Sequence, residues 1–252
     1  MDASAHSRGD VAAKALGLLA ATLLMAGISG CATREVAAPA PGQAAPGHIP
    51  ASPLIGQPFD VDPAGSRLIV LAYRAGALAT LGHNHVIACR CLTGTVYLPR
   101  DPLRGSFDLR LAVQQLTVDD PGLRSSQHSA DFPPDVPQSA RQGTRHNMLG
   151  AALLNAAKYP EIRLRSAGLR RSPDGKAGDI VARVLLQVEG ATHSIAVPMH
   201  YEIRADEIVV TGEFPLKQTD LGLTPFTALG GALRVRNSLE VRLRLLARRR
   251  VS

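Results

Sequence analysis

The sequence predicts an all-β protein, an antiparallel sandwich or barrel, and three observations carry that prediction. From residue 59 onward, apolar and polar residues alternate with a period of two. Turn signals interrupt the alternation at short intervals, and a single stretch shows helical spacing. Alternation gives a strand one dry face and one wet face. Many short strands in series, without a matching number of helices, fit a sandwich or barrel.

The N-terminal segment obeys other rules. Residues 15–31 read ALGLLAATLLMAGISGC, an apolar run behind Arg8 and Lys14 that ends in small residues and a cysteine. A secretory signal peptide has this build. A cysteine directly after the small pair marks a bacterial lipoprotein, in which the Cys31 thiol takes a diacylglycerol and becomes the new N-terminus. The run is too short to cross about 30 Å of hydrocarbon, which takes about 20 apolar residues. Residues 1–30 are therefore read as a lipoprotein signal peptide, with Cys31 as the lipid-attachment site. Residues 31–58 form the lipidated cysteine and a tether rich in Ala, Pro and Gly. Residues 59–252 form the barrel domain. Ala32 follows the cysteine where an Asp would favour inner-membrane retention, so the expected location is the outer membrane, facing the periplasm.

The elements of the domain follow in order. Shorter strand candidates lie at 66–74, 86–98, 161–167 and 207–215. Phe107 to Val113 alternates with one lapse at Ala112. Ile180, Ala182, Val184, Leu186 and Val188 share one face, as do Ile195, Val197, Met199, Tyr201 and Ile203. Leu239 to Leu245 alternates throughout. Pro99 to Pro102, Ser172 to Gly175 and Glu189-Gly190 punctuate the strands. Met148, Leu149, Ala152, Leu153 and Ala156 predict one helix over Arg145–Lys158, stopped by Pro160. The polar stretch 119–143 reads as a long exposed loop or lid.

Composition narrows the function. Hydrophobic residues make up 45% of the chain, enough for a core. Aromatics are 4% and Trp is absent, so stacking platforms for nucleic acid are poorly supplied. The formal net charge is +7, much of it within residues 234–250. A basic surface could meet anionic head groups, but a solvated strand face is the ordinary meaning of such a run. No Gly-x-Ser-x-Gly elbow occurs, and Ser125, Ser126 and His128 have no evident carboxylate partner. Leu229-Gly-Gly231 lacks the Lys-Ser/Thr of a phosphate cradle. The chain is thus read as a binding protein and not an enzyme. His83, His85, Cys89 and Cys91 share parity and could form a metal- or haem-binding stripe. The alternative is a hydrogen-bonding turn beside two small buried hydrophobes. On a straight strand Cys89 and Cys91 would stand about 6.6 Å apart, at the upper edge of disulfide geometry, which leaves their redox state open.

Residues 148–166 run from the predicted helix through a tyrosine-proline pair into a strand, with Tyr159, Pro160, Ile162, Leu164 and Ser166. Residues 184–198 read as the next hairpin, with Gly190, Thr192 and Pro198. Phe214, Leu216, Asp220, Leu221 and Gly222 mark a further segment. In this order these motifs resemble those of the YceI-like family. The resemblance spans about 59–248. It departs at Asp62-Pro-Ala-Gly-Ser66, which lacks the family's early His. It implies an extended antiparallel lipocalin-like β-barrel with one helix near the barrel opening. It also implies a long apolar ligand, a polyisoprenoid or quinone, inside the barrel, and no catalytic residues. Leu111, Val113, Leu186, Val188, Leu239 and Val241 are the expected lining. No other cofactor and no nucleic acid are expected; the membrane is met through Cys31.

Overall fold

The computed structural model describes residues 49–173 and 175–250. The leader, Cys31 and the tether as far as residue 48 lie outside them. In chain order the elements are β1 (Gln57–Val61), β2 (Arg67–Ala72), β3 (Arg74–Ala75), β4 (His85–Cys89), β5 (Leu92–Leu98), β6 (Ser106–Ala112) and β7 (Thr117–Val118). Two helices follow, α1 (Pro121–Ser125) and α2 (Gln138–Leu149). The long strands are β8 (Glu161–Arg171), β9 (Asp179–Val188), β10 (Ala191–Arg204) and β11 (Glu207–Lys217). Short β12 (Thr227–Ala228) and β13 (Leu233–Val235) precede the last strand, β14 (Ser238–Arg249).

Eight strands close into an antiparallel barrel in the order β1, β5, β6, β8, β9, β10, β11, β14, with β14 returning to β1. Closure removes the free sheet edges that would otherwise invite pairing with other chains. Three ring positions are long strands with a break. β14 pairs with β1 through Ala247–Arg249 and with β2 through Glu240–Arg244. β4 and β5 pair with β2 and β1 in the same way, and β7 extends β6 along β4. The break between β1 and β2 is a turn over Asp62–Ser66. Asp62 accepts from the N–H groups of Ala64 and Gly65, and Ser66 Oγ accepts from Leu246 N–H at 3.0 Å. This turn covers Leu246 from outside.

Local chemistry sets the curvature. A Cβ on Gly94 (φ +126°) would stand 2.2 Å from the Asp108 carbonyl oxygen, so only glycine lets β5 approach β6 there. β8 changes register against β9 between Ser166 and Gly168, a bulge that bends the wall. The chain bends at Arg90, between β4 and β5, and this brings the Cys89 and Cys91 Cα atoms to 5.2 Å. The two cysteines form a disulfide inside the main core cluster. Straight-strand spacing left their redox state open, and the bend is what brings them within disulfide reach.

Two sequence expectations shift. The helix runs over Gln138–Leu149 instead of 145–158. Gly150 is extended and ends it, and residues 150–159 continue as turns bonded back to Met148, Leu149 and Gly150. The helical spacing of Leu153 and Ala156 comes from packing those turns against the barrel. The stretch 119–143 is no loose loop either: it contains α1, part of α2 and the buried Asp119, Arg124, Phe132 and Val136.

Candidate functional site

The inward side chains leave a cavity of about 580 Å3, inside the roughly 300–1,000 Å3 typical of ligand pockets. Its wall is built by the period of two. β10 supplies Ile195, Val197, Met199, Tyr201 and Ile203, the same five residues that share a face in the sequence. Large aliphatic side chains dominate the remainder, so the wall offers dispersion contact and few hydrogen-bonding groups.

Five of the six expected lining residues border this space: Leu111 on β6, Leu186 and Val188 on β9, and Leu239 and Val241 on β14. Val113 does not. It lies in a short 3-10 turn over Val113–Gln115, is 1% exposed, and packs in the core cluster that includes Cys89 and Leu116. Its N–H donates to the Pro160 carbonyl at 2.9 Å. The lapse of alternation at Ala112 marks the point where strand parity ends.

A buried polar cluster flanks the cavity where α2 crosses it. Asp119 is the hub. One carboxylate oxygen meets His85 Nδ1 at 2.6 Å; the other accepts from Arg124 Nη1 at 2.6 Å and from Val86 N–H at 2.8 Å. The Asp119 side chain has no exposure, and its φ of 54° is uncommon for a residue with a side chain. Burial pushes its carboxyl upward, but the hydrogen bonds from His85, Val86 and Arg124 outweigh this and hold it below the usual carboxylate range. Arg124 also donates to the carbonyls of Asn84 and Pro133, at 2.7 Å each, and its guanidinium lies 5.7 Å from the Phe132 ring centre. His85 Nε2 meets Thr144 Oγ1 of α2 at 3.1 Å, and both residues border the cavity. An ionised Asp119 accepts only, so His85 Nδ1 carries a hydrogen and donates it to the carboxylate. The cluster therefore fixes α2 over the barrel through a side chain that faces the ligand space.

This arrangement removes the metal-stripe alternative. Both nitrogens of His85 are engaged, and the Cys89 and Cys91 sulfurs are bonded to each other. Among the described residues, no group of three or more His, Cys, Asp or Glu is placed to hold a metal ion. Ser125 and Ser126 donate to the carbonyls of Pro121 and Leu123 and face no histidine partner. Sequence reading missed Asp119, Arg124 and Thr144. The local signal was modest: Asp119-Asp120-Pro121 is a helix start, with Asp120 accepting from Leu123 N–H at 3.0 Å.

Comparison with known proteins agrees with this architecture. Crystal structures of similar fold include Burkholderia cenocepacia BcnA, at 14% identity and a TM-score of 0.53, covering 74% of this chain and 99% of that one. A polyisoprenoid-binding domain from Saccharophagus degradans, implicated in plant cell wall breakdown, aligns at 14% identity and a TM-score of 0.48, over 76% of this chain and 98% of that one. A Campylobacter jejuni YCEI protein aligns at 10% identity and a TM-score of 0.42, over 64% and 82%. A search of curated protein sequences finds no match. The family model for the YceI-like domain matches residues 59–247. With that match over most of its length, and with the closed barrel around an apolar cavity, the chain belongs to the YceI-like family.

Proposed function

We propose that this protein holds a long apolar ligand, a polyisoprenoid or quinone-like chain, inside its barrel. The cavity of about 580 Å3, walled by aliphatic side chains of nearly every ring strand, is the observation that carries the reading. Burying a prenyl chain there would contribute roughly 25 cal/mol per Å2 of apolar area, before ordering costs. Such a ligand needs no charged anchor. The family resemblance points the same way. The role is binding, with no chemical step.

The reading includes a place in the cell. The leader and Cys31 support an envelope lipoprotein, anchored by its acyl chains at the outer membrane and facing the periplasm. Cys31→Ser should abolish acylation and cleavage at that site. A mutant that still partitions into detergent as a processed, acylated species would refute the anchor.

The ligand is tested at Leu186, which is buried on the cavity wall. Leu186→Glu should lower ligand occupancy and also stability, because a carboxylate in an apolar lining is costly. Leu186→Phe fills space without charge and separates the two effects. Lipid extraction with mass spectrometry and titration with a prenyl quinone read the outcome. If folded Leu186→Phe and wild type both purify without lipid and both fail to take up the quinone, the ligand reading is wrong.

A further inference from the structure

One end of the barrel carries an apolar rim that ligand enclosure does not require. Two segments meet there, residues 74–82 and 226–236. β13 pairs with both β3 and β12; Leu78 N–H donates to the Ala232 carbonyl at 2.9 Å, and Val235 N–H to that of Phe226 at 3.0 Å. A Cβ on Gly76 (φ +98°) would lie 2.3 Å from the Ala232 oxygen, so glycine permits this contact. The joined segments expose four large apolar side chains. Leu81 is 66% exposed and Leu229 63%, with Leu78 and Phe226 exposed beside them. These are four of the seven large exposed hydrophobics among the described residues. Isolated surface leucines are ordinary, whereas a cluster marks an interaction surface.

Charge and position identify the occupant. Segments 74–82 and 226–236 contain Arg74, Arg234 and Arg236 and no Asp or Glu. Arg74 Nη1 donates to the Gly82 carbonyl, and Arg236 stacks over the Tyr73 ring at 5.4 Å, while Arg234 is exposed. Phe226, Leu233 and Gly82 border the cavity, so the rim is continuous with its opening. An apolar tip flanked by cations suits the interface of a bilayer, where side chains enter the acyl boundary and arginines meet lipid phosphates.

We infer that this rim is a membrane-contact surface that seats Leu78, Leu81, Phe226 and Leu229 in an anionic bilayer, with the cavity mouth facing the lipid. The inference does not depend on which molecule the cavity holds.

The chain has no tryptophan, so a single introduced one is a clean reporter. Leu81→Trp in the full-length protein should show emission moving to shorter wavelength, with quenching by bromine-labelled lipid, on vesicles containing phosphatidylglycerol. Ala205→Trp is the control. Ala205 is also exposed and does not border the cavity, and it lies in the β10–β11 turn, at the opposite end of β11 from the rim. It should show neither effect. Adding Leu229→Ser to Leu81→Trp should weaken the apparent vesicle affinity about tenfold, and Arg234→Ser should reduce the preference for phosphatidylglycerol over phosphatidylcholine. All four positions are exposed, so melting curves should match wild type. Three results overturn the inference: no shift at position 81 with vesicles, an equal shift at position 205, or a shift at 81 that follows protein concentration without lipid, which would make the rim a contact between copies.

Discussion

Two arginine–carboxylate regions of this molecule use the same chemistry to different ends. At the end of β14 the arginines are exposed and paired with acids that are exposed or half-buried. Arg248 meets Asp62 and Glu207, Arg249 meets Asp206, and Arg250 meets Asp60. At the barrel mouth Arg124 and Asp119 are fully buried, with His85 as third member. Exposed pairs are hydrated before they form and gain little on pairing. The buried cluster has lost its water, so each member relies on the others. The last three arginines of the C-terminal charge run are therefore neutralised in place and of small energetic weight, whereas one arginine in a polar stretch organises the mouth.

The contrast can be broken from its stronger side first. Asp119→Asn leaves Arg124 buried without its counter-charge and should destabilise the fold by about 3–5 kcal/mol, read as a lower urea midpoint. A midpoint near wild type would mean that the cluster is not a structural unit. Acid titration comes next. The Asp119 pKa lies below its ordinary value in the folded state. Its stabilising contribution is thus complete above the unfolded carboxylate pKa of about 3.9 and is lost as pH falls through the lower folded value. Stability of wild type should decline across that acid interval, and Asp119→Asn should decline less steeply; parallel profiles would assign the acid sensitivity elsewhere. The smallest effect belongs to the tail. Arg249→Gln should leave the melting midpoint within about 2 °C of wild type. A larger shift would show that the exposed pairs act as a network, and the comparison would need revising.

What could be read in advance divides along the same line. Strands announce themselves locally: the alternation over Ile195–Ile203 and Leu239–Leu245 needs no distant partner, and both sets face inward in the barrel. Sequence spacing also placed Leu186 and Val188 on the wall. The buried cluster has no such signature. Asp119 and His85 are 34 residues apart and Thr144 stands 59 from His85, so only the closed fold brings them together. By composition, a buried ion pair between Asp, Pro and Ser looks like a solvated loop. The helix shift has a smaller cause: Gly150 ends α2 while apolar spacing continues into turns. Exposure of Leu81 and Leu229 was equally hidden, since an apolar residue in a turn-rich segment reads as core until the surface around it is known.

The ring closes through its last strand, and that sets the order of assembly. β14 touches β1, β2 and β11, and the bond between Ser66 and Leu246 spans 180 residues. A chain that emerges N-terminus first must hold its opening strands without their closing neighbour until nearly the whole domain has been delivered. Loop closure over such a span precedes the contacts that reward it, so folding belongs to the slow, non-local regime. A chain ending at Asn237 would leave two unpaired edges facing each other across a gap, a ready template for intermolecular pairing. Quality control during delivery therefore rests on β14 arriving intact.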